Sequence, residues 1–568
     1  MGMSLNQFSR RVNCSASFLS RVERGERRAD EKLASLCDKE LGADGALKIL
    51  VTAARPRRRT LTAGVAAPRA TPGPVPSGHG AQYDAMLARG DALRAAGKMR
   101  AAQESYQGAF DLADGVPRAQ AEAVIRISRR WSDPGQQDRE AIARIRAALD
   151  GIAGDDSREA ALLRLRQQAH LAKKLSFAVS QDTAASQSAP DEGTALAWQT
   201  LQELPADAPD EVSCEVLVEC RWALFDSAPA ADLAAKAAQI DSIALRMGSA
   251  HFQGEGLAAL AVDQMRTGQV WAAQATIRRH RRHAELTGNG LARWHQGVFD
   301  TLLDLWRGNF KAAEDRLFGQ TRAIVEASEA ELEISADTLG QTYQGQSYWL
   351  LREQGRIAEM LTMPMLGRME GHEFAPIWRA GFTLAWCETD NWITAADQLA
   401  AFAEETDRFR ALPGHGWAVP TLALFAEACS LLHAQPDYRA LAADLAPAID
   451  ARLHGHDGEI ALAGWPTVLI GAVARARGLL AYTAGDVGTA LDRLAASERL
   501  VRTSPPQMAR LRADRARVLL TQAARRDGPV PPEASRLLTE SLTAADRLGM
   551  ARLADDVRAM RADWNGHV

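Results

Sequence analysis

The sequence predicts an all-α protein in three parts: a small helical head, a linker and a long run of paired helices. Three observations predict it. From about residue 81 onward alanine and leucine dominate, glycine and proline punctuate long helical runs, and β-branched stretches are nearly absent. Residues 55–80 hold five prolines (Pro56, Pro68, Pro72, Pro74, Pro76) and four glycines, with no apolar periodicity. Residues 1–60 carry 13 basic and 7 acidic side chains, against 54 and 64 in the rest of the 568 residues, so a +6 head precedes a −10 body within a net charge of −4. A basic head on an acidic body suits a nucleic-acid-docking module joined to a part that does not touch nucleic acid.

The head, residues 1–54, is built from short capped helices. Ser4 caps the first, and Gln7 three positions later completes a capping box. Leu5, Phe8 and Val12 form one apolar stripe, and Asn13 tolerates the left-handed conformation of a tight turn. Ser15 caps a second helix whose inward face is Phe18, Leu19 and Val22 and whose stop is Gly25. Its outward residues are Ala16, Ser17, Ser20, Arg21 and Arg24, with Arg27 and Arg28 just beyond. Asp30 opens a helix with Leu33, Leu36, Cys37 and Leu41 inward, stopped by Gly42, and Asp44 opens another through Leu47 and Leu50. Small residues at a helix start let it approach base edges, an arginine can grip guanine with two donors, and further arginines suit phosphates.

This arrangement, above all the run Phe18-Leu19-Ser20-Arg21-Val22-Glu23-Arg24-Gly25, resembles the phage-repressor type of helix-turn-helix, the Cro or xenobiotic-response-element class. Carried over by motif position, Ala16, Ser17 and Arg21 are base readers, while Arg24, Arg27 and Arg28 hold phosphate. With Ser15 and Ser20 they make up the expected DNA-binding set. The family has a full helix before the segment that begins here at Ser4, and only Met1, Gly2 and Met3 stand there. The first helix is apparently missing; the expectation is a true start upstream, the alternative a weakened or vestigial head.

Residues 55–80 read as an extended tether, and residues 81–568 as helical hairpins. Met86, Gly90, Leu93, Gly97, Met99, Ala102, Tyr106 and Ala109 match the tetratricopeptide pattern, in which small residues let two helices approach and larger ones plug the gap. Its core is a turn glycine, a large residue two later and an alanine five later. That core recurs at Gly268-Val270-Ala273, Gly308-Phe310-Ala313 and Gly485-Val487-Ala490. Asp390-Trp392-Ala395 is a variant, and Gly355-Ile357-Met360 loses the alanine. Residues 118–150, 160–204 and 211–247 also read as helical pairs. Residues from about 250 to 525 resemble the helical-repeat region of large bacterial signalling regulators, such as LuxR-type activators and adenylate cyclases. The residues behind that likeness are the run from Leu305 to Glu314, Trp378-Arg379-Ala380, Ala426-Glu427-Ala428-Cys429 and the run from Gly471 to Leu480. The resemblance implies a tetratricopeptide-like α-solenoid whose concave face takes peptides, proteins or small ligands.

No motif for catalysis stands out, and no metal or cofactor is expected. The six cysteines form no C-x-x-C pair, which points to reduced thiols rather than zinc. His280 and His283 sit among four arginines, so the run Arg278 to His283 reads as an exposed basic face, with Arg278 and Arg282 weak candidates for holding a phosphate or acidic partner. His454-Gly455-His456-Asp457 has ligand-type residues but no third distant ligand. Most of the thirteen tryptophans read as core; Trp417 and Trp465, beside helix breakers, are the better candidates for a pocket rim. With neither a signal-like start nor an apolar stretch approaching 18 residues, the expectation is a cytoplasmic protein off the membrane. The functional expectation is a bacterial transcription regulator, a homodimer on double-stranded DNA, whose repeat domain senses an unidentified peptide, small molecule or protein. The alternatives are an interaction scaffold with a vestigial head, or a cofactor-free regulatory subunit of an enzyme.

Overall fold

The computed structural model describes residues 80–96, 98–129, 138–176, 189–288, 290–321, 336–362, 376–412, 418–526 and 529–565, with Ser9, Val12, Cys14, Leu33, Leu36 and Cys37. The chain divides into two units, Met1–Val75 and Pro76–Val568. In the first, Ser9 is helical and Val12 is 1% exposed, as its place on the apolar stripe requires. The Cys14 amide donates to the Ser9 carbonyl at 3.0 Å, a six-residue closure of the kind that ends a helix. Leu36, expected inward, is 37% exposed, and Leu33 and Cys37 are half-buried.

The second unit is overwhelmingly helical. In order come α1 (Gly80–Ala95), α2 (Met99–Leu112), α3 (Pro117–Ser128), α4 (Arg139–Gly151), α5 (Arg158–Ser176), α6 (Ala189–Glu203), α7 (Asp210–Ala223) and α8 (Ala230–Met247). Then follow α9 (Ala250–Arg266), α10 (Val270–Thr287), α11 (Gly290–Arg307), α12 (Phe310–Asp315, continued by a π-turn at Arg316–Thr321), α13 (Ala336–Glu353), α14 (Pro376–Glu388), α15 (Trp392–Glu405), α16 (Ala418–Ala434) and α17 (Arg439–Leu453). A hairpin of β1 (Ile460–Ala463) and β2 (Val468–Ala472) precedes α18 (Val473–Thr483), α19 (Val487–Val501), α20 (Pro505–Ala524), α21 (Pro532–Leu548) and α22 (Ala551–Asn565).

Sequence neighbours pack as helical pairs, and the small-residue rule explains the contacts. A Cβ on Gly90 of α1 would collide with the Tyr106 ring of α2, whose hydroxyl donates to Asp91 at 2.8 Å. Each recurrence of the glycine pattern marks a turn between two helices, with its large residue and alanine buried: Val270 and Ala273, Phe310 and Ala313, Val487 and Ala490. Gly308 shows why the turn residue is small. Its φ is +77°, and a Cβ there would lie 2.8 Å from a Leu548 methyl. Asp390 takes the same left-handed region with φ +60°. Where the alanine is lost, after Gly355, the second helix shrinks to a single 3-10 turn, Ile357–Met360.

The hairpin is the element that an all-helical reading omits. Its strands pair antiparallel, Ile460 with Ala472 and Ala463 with Val468, across a bulge between Ala461 and Leu462. Every residue of both strands is buried. Alternation sends Ala461, Ala463, Val468 and Ile470 into a core shared by α11–α18 and α20–α22, and Ile460, Leu462 and Leu469 into a second core shared by α5–α11 and α18–α20. Ala472, beyond Gly471 at the end of the strand, leaves the alternation and joins the second core. Three buried polar side chains hold it. Gln346 Nε2 donates to the carbonyls of Val298 and Thr467, both at 3.0 Å. Gln507 Nε2 donates to the Ile470 carbonyl at 2.9 Å, and Glu459 accepts from Arg266 at 2.8 Å and from the Ala230 amide at 3.2 Å. Leu462→Ala and Ile470→Ala should each cost about 2–5 kcal/mol in urea denaturation. Because the hairpin joins both cores, each variant should unfold α5–α22 in one shifted transition; loss of one core alone, as two separated transitions, would contradict this.

Candidate functional site

Ser15, Ala16, Ser17, Ser20, Arg21, Arg24, Arg27, Arg28 and Trp417 lie outside the described residues. Trp465, Arg278 and Arg282 are placed. Trp465 sits in the hairpin turn, half-buried, its ring 4.1 Å from that of Trp222 and 5.5 Å from that of Phe225, with the Arg221 guanidinium 5.1 Å from its centre. Arg221 pairs with Asp263 at 2.9 Å, both 1% exposed or less. The indole is thus one wall of a packed aromatic and ionic cluster. Among the other tryptophans, Trp294, Trp306, Trp349 and Trp378 are buried, while Trp271 is 71% exposed.

On α10 the six-residue basic run splits by helical geometry. Arg278, Arg279, Arg281 and Arg282 are exposed, whereas His280 and His283, three apart, share the buried face with Ile277 and Ala284. The expected basic surface is therefore made by the arginines alone. Arg279 pairs with Asp241 and Arg281 with Asp300, each at 2.6 Å; Arg282 has no ion pair among the described residues. Behind them the His280 ring stands edge-on to Phe299 at 5.6 Å, and its Nδ1 lies 3.4 Å from Gln296 Oε1. Gln296 Nε2 in turn donates to Asp300 at 2.9 Å. Burial depresses His280 to about 4 and its neighbour His295 to about 3, so both are neutral near pH 7.

Between α10, α11 and the turn after α12 opens a cleft of about 340 Å³. Gln274, Ile277, Arg278 and Arg281 line one side, Asp300, Leu303, Asp304 and Arg307 the other, and Arg316 closes the end. Arg316 reaches Asp304 at 3.2 Å and Asp300 at 3.7 Å, while its buried Nε has no hydrogen-bond acceptor. Arg278 and Arg307 have no ion pair among the described residues, so the cleft holds four guanidinium groups against two carboxylates. Such a site attracts anions. The sequence reading picked out Arg278 but missed the opposite wall. Its signal was the spacing Asp300, Asp304, Arg307, which puts charges on one face of an otherwise apolar helix.

Two buried charge networks were also missed. Glu215 on α7 accepts from Arg129 at 2.9 Å, Arg166 at 2.6 Å and His170 at 3.1 Å. Burial pushes its carboxyl up, but Arg129, Arg166 and His170 together hold it well below the usual range. Around a cavity of about 50 Å³, Glu427 bridges Arg352 and Arg475, Arg475 reaches Asp514 at 2.7 Å, and Arg510 reaches Glu353 at 3.0 Å. Among the described residues, no group of three or more His, Cys, Asp or Glu side chains could hold a metal ion, and no helix is long and apolar enough to cross a membrane.

No family model matches the chain, and no curated protein is significantly similar to it.

The histidines make a pH prediction. A folded value below the free-imidazole value of 6.5 means stability is present above about pH 6.5 and is lost as pH falls towards 4. His280 alone should contribute a loss on the order of 2 kcal/mol between pH 7 and pH 5. Urea midpoints at the two pH values measure it, and His280→Asn should reduce the difference.

Proposed function

We propose that this chain is a bacterial DNA-binding transcription regulator whose helical body senses a signal. The observation that carries the reading is the run Phe18 to Gly25, with small residues at the start of its helix and arginines on its outward face. The basic head before an acidic body supports it. The paired helices of residues 80–565, with left-handed turns at the repeated glycine positions, support a tetratricopeptide-like solenoid as the sensor. In this reading Ala16, Ser17 and Arg21 face base edges, and Arg24, Arg27 and Arg28 hold phosphates. A cytoplasmic homodimer reads two half-sites about one helical turn apart. An effector favours one arrangement of the body and so changes the spacing of the two heads.

The alternative is an interaction scaffold with a vestigial head. Two large apolar side chains of α10, Trp271 at 71% exposure and Leu286 at 78%, favour it, since a partner would cover them.

Gel retardation of duplexes from a randomised pool separates the two. The regulator binds with an affinity that falls steeply with salt. Arg24→Ala should weaken all duplexes alike, whereas Arg21→Ala should flatten the preference at one base pair by about 1–3 kcal/mol. No retardation at low ionic strength, with a stable partner captured through Trp271 and Leu286, would leave the scaffold reading.

A further inference from the structure

We propose that the cleft between α10 and α11 binds a small phosphate monoester, a phosphorylated metabolite of sugar size, as the effector of the helical body. The idea rests on the sensor reading of residues 80–565 but not on DNA binding. Its size comes first. A cleft of about 340 Å³ stands at the lower end of the range for small-molecule sites, which suits one phosphoryl group on a short carbon skeleton.

Charge narrows the class. Asp300 engages Arg281 and Arg316, and Asp304 engages Arg316 and the Asn309 amide, so the carboxylates hold two guanidinium groups in place. Arg278 and Arg307 remain uncommitted among the described residues, and Arg316 Nε is buried with nothing to donate to. The surplus of two positive charges matches the near-dianionic charge of a phosphate monoester at pH 7. Planar guanidinium groups grip phosphate with paired donors, which lysines would not do as well. Ile277 and Leu303 supply an apolar floor for carbon atoms, and Gln274 offers an amide for a hydroxyl.

The position also suits a sensor. Next to Arg307, the Trp306 indole donates to Thr503 Oγ1 at 3.1 Å, and the Trp306 carbonyl accepts from Ser504 at 2.6 Å. The end of α11 is therefore bonded to the start of α20, nearly two hundred residues away. A ligand pulling on Arg307 bears on that junction.

Calorimetric titration of the full chain with ribose 5-phosphate, ribose, sulfate and inorganic phosphate tests this. Ribose 5-phosphate should saturate with a Kd of about 1 mM or tighter, and ribose should not bind. Arg278→Gln with Arg307→Gln should weaken it at least about tenfold. Arg282→Gln, on the same helix but outside the cleft, should leave it unchanged, and Arg307→Lys should fall between. A matched urea midpoint for each variant excludes unfolding as the cause. The proposal is overturned if ribose 5-phosphate does not saturate, if sulfate binds as tightly, or if Arg282→Gln weakens binding as much as the double variant. The titration contains no DNA, so its failure and a failure of gel retardation are told apart.

Discussion

The helical body depends on one short antiparallel hairpin that belongs to two cores at once. Strand geometry points successive side chains to opposite sides, and here both sides are packed. A helix in the same place could not divide its residues so evenly, because its apolar face is a single stripe. Buried strands carry a second demand, satisfaction of every amide and carbonyl. Pairing meets part of it, and the amides of Gln346 and Gln507 meet more, so two glutamines shielded from water are as necessary here as the aliphatic residues.

Charge provides the second organising principle. Alanine-rich helices approach closely but leave little apolar bulk, and arginines fill the remaining space with long stems and charged ends. Glu215, Glu427 and Asp263 each sit under guanidinium groups from other helices. Desolvating these ions is costly, and the pairs add little net stability over well-packed hydrophobes. Their geometric requirement is strict, however. A helix sliding by one turn would leave a carboxylate buried alone, so the networks fix which helix faces which.

Much of this was legible in the sequence. Gly308-Phe310-Ala313 and its relatives announce turns because a left-handed residue, a plug and a small contact are needed at fixed offsets in any tight helical pair. The missing alanine at Met360 was visible as a departure from the pattern, but that the second helix there is only a 3-10 turn was not read from it. The hairpin was hidden for the opposite reason. Ile460 to Ala472 is apolar on both faces, so it lacks the alternation that betrays a strand, and its length does not separate strand from helix. The cleft was half legible: six basic residues in a row drew attention to α10, but Arg307 and Arg316 join it only through packing. His280 and His283 looked like part of the basic surface because a linear run does not show that i and i+3 turn inward together.

Two strands of the chain lie between two cores, with both of their faces already packed. A side chain exchanged on either face is therefore felt by neighbours on the other, because the backbone that carries both is shared.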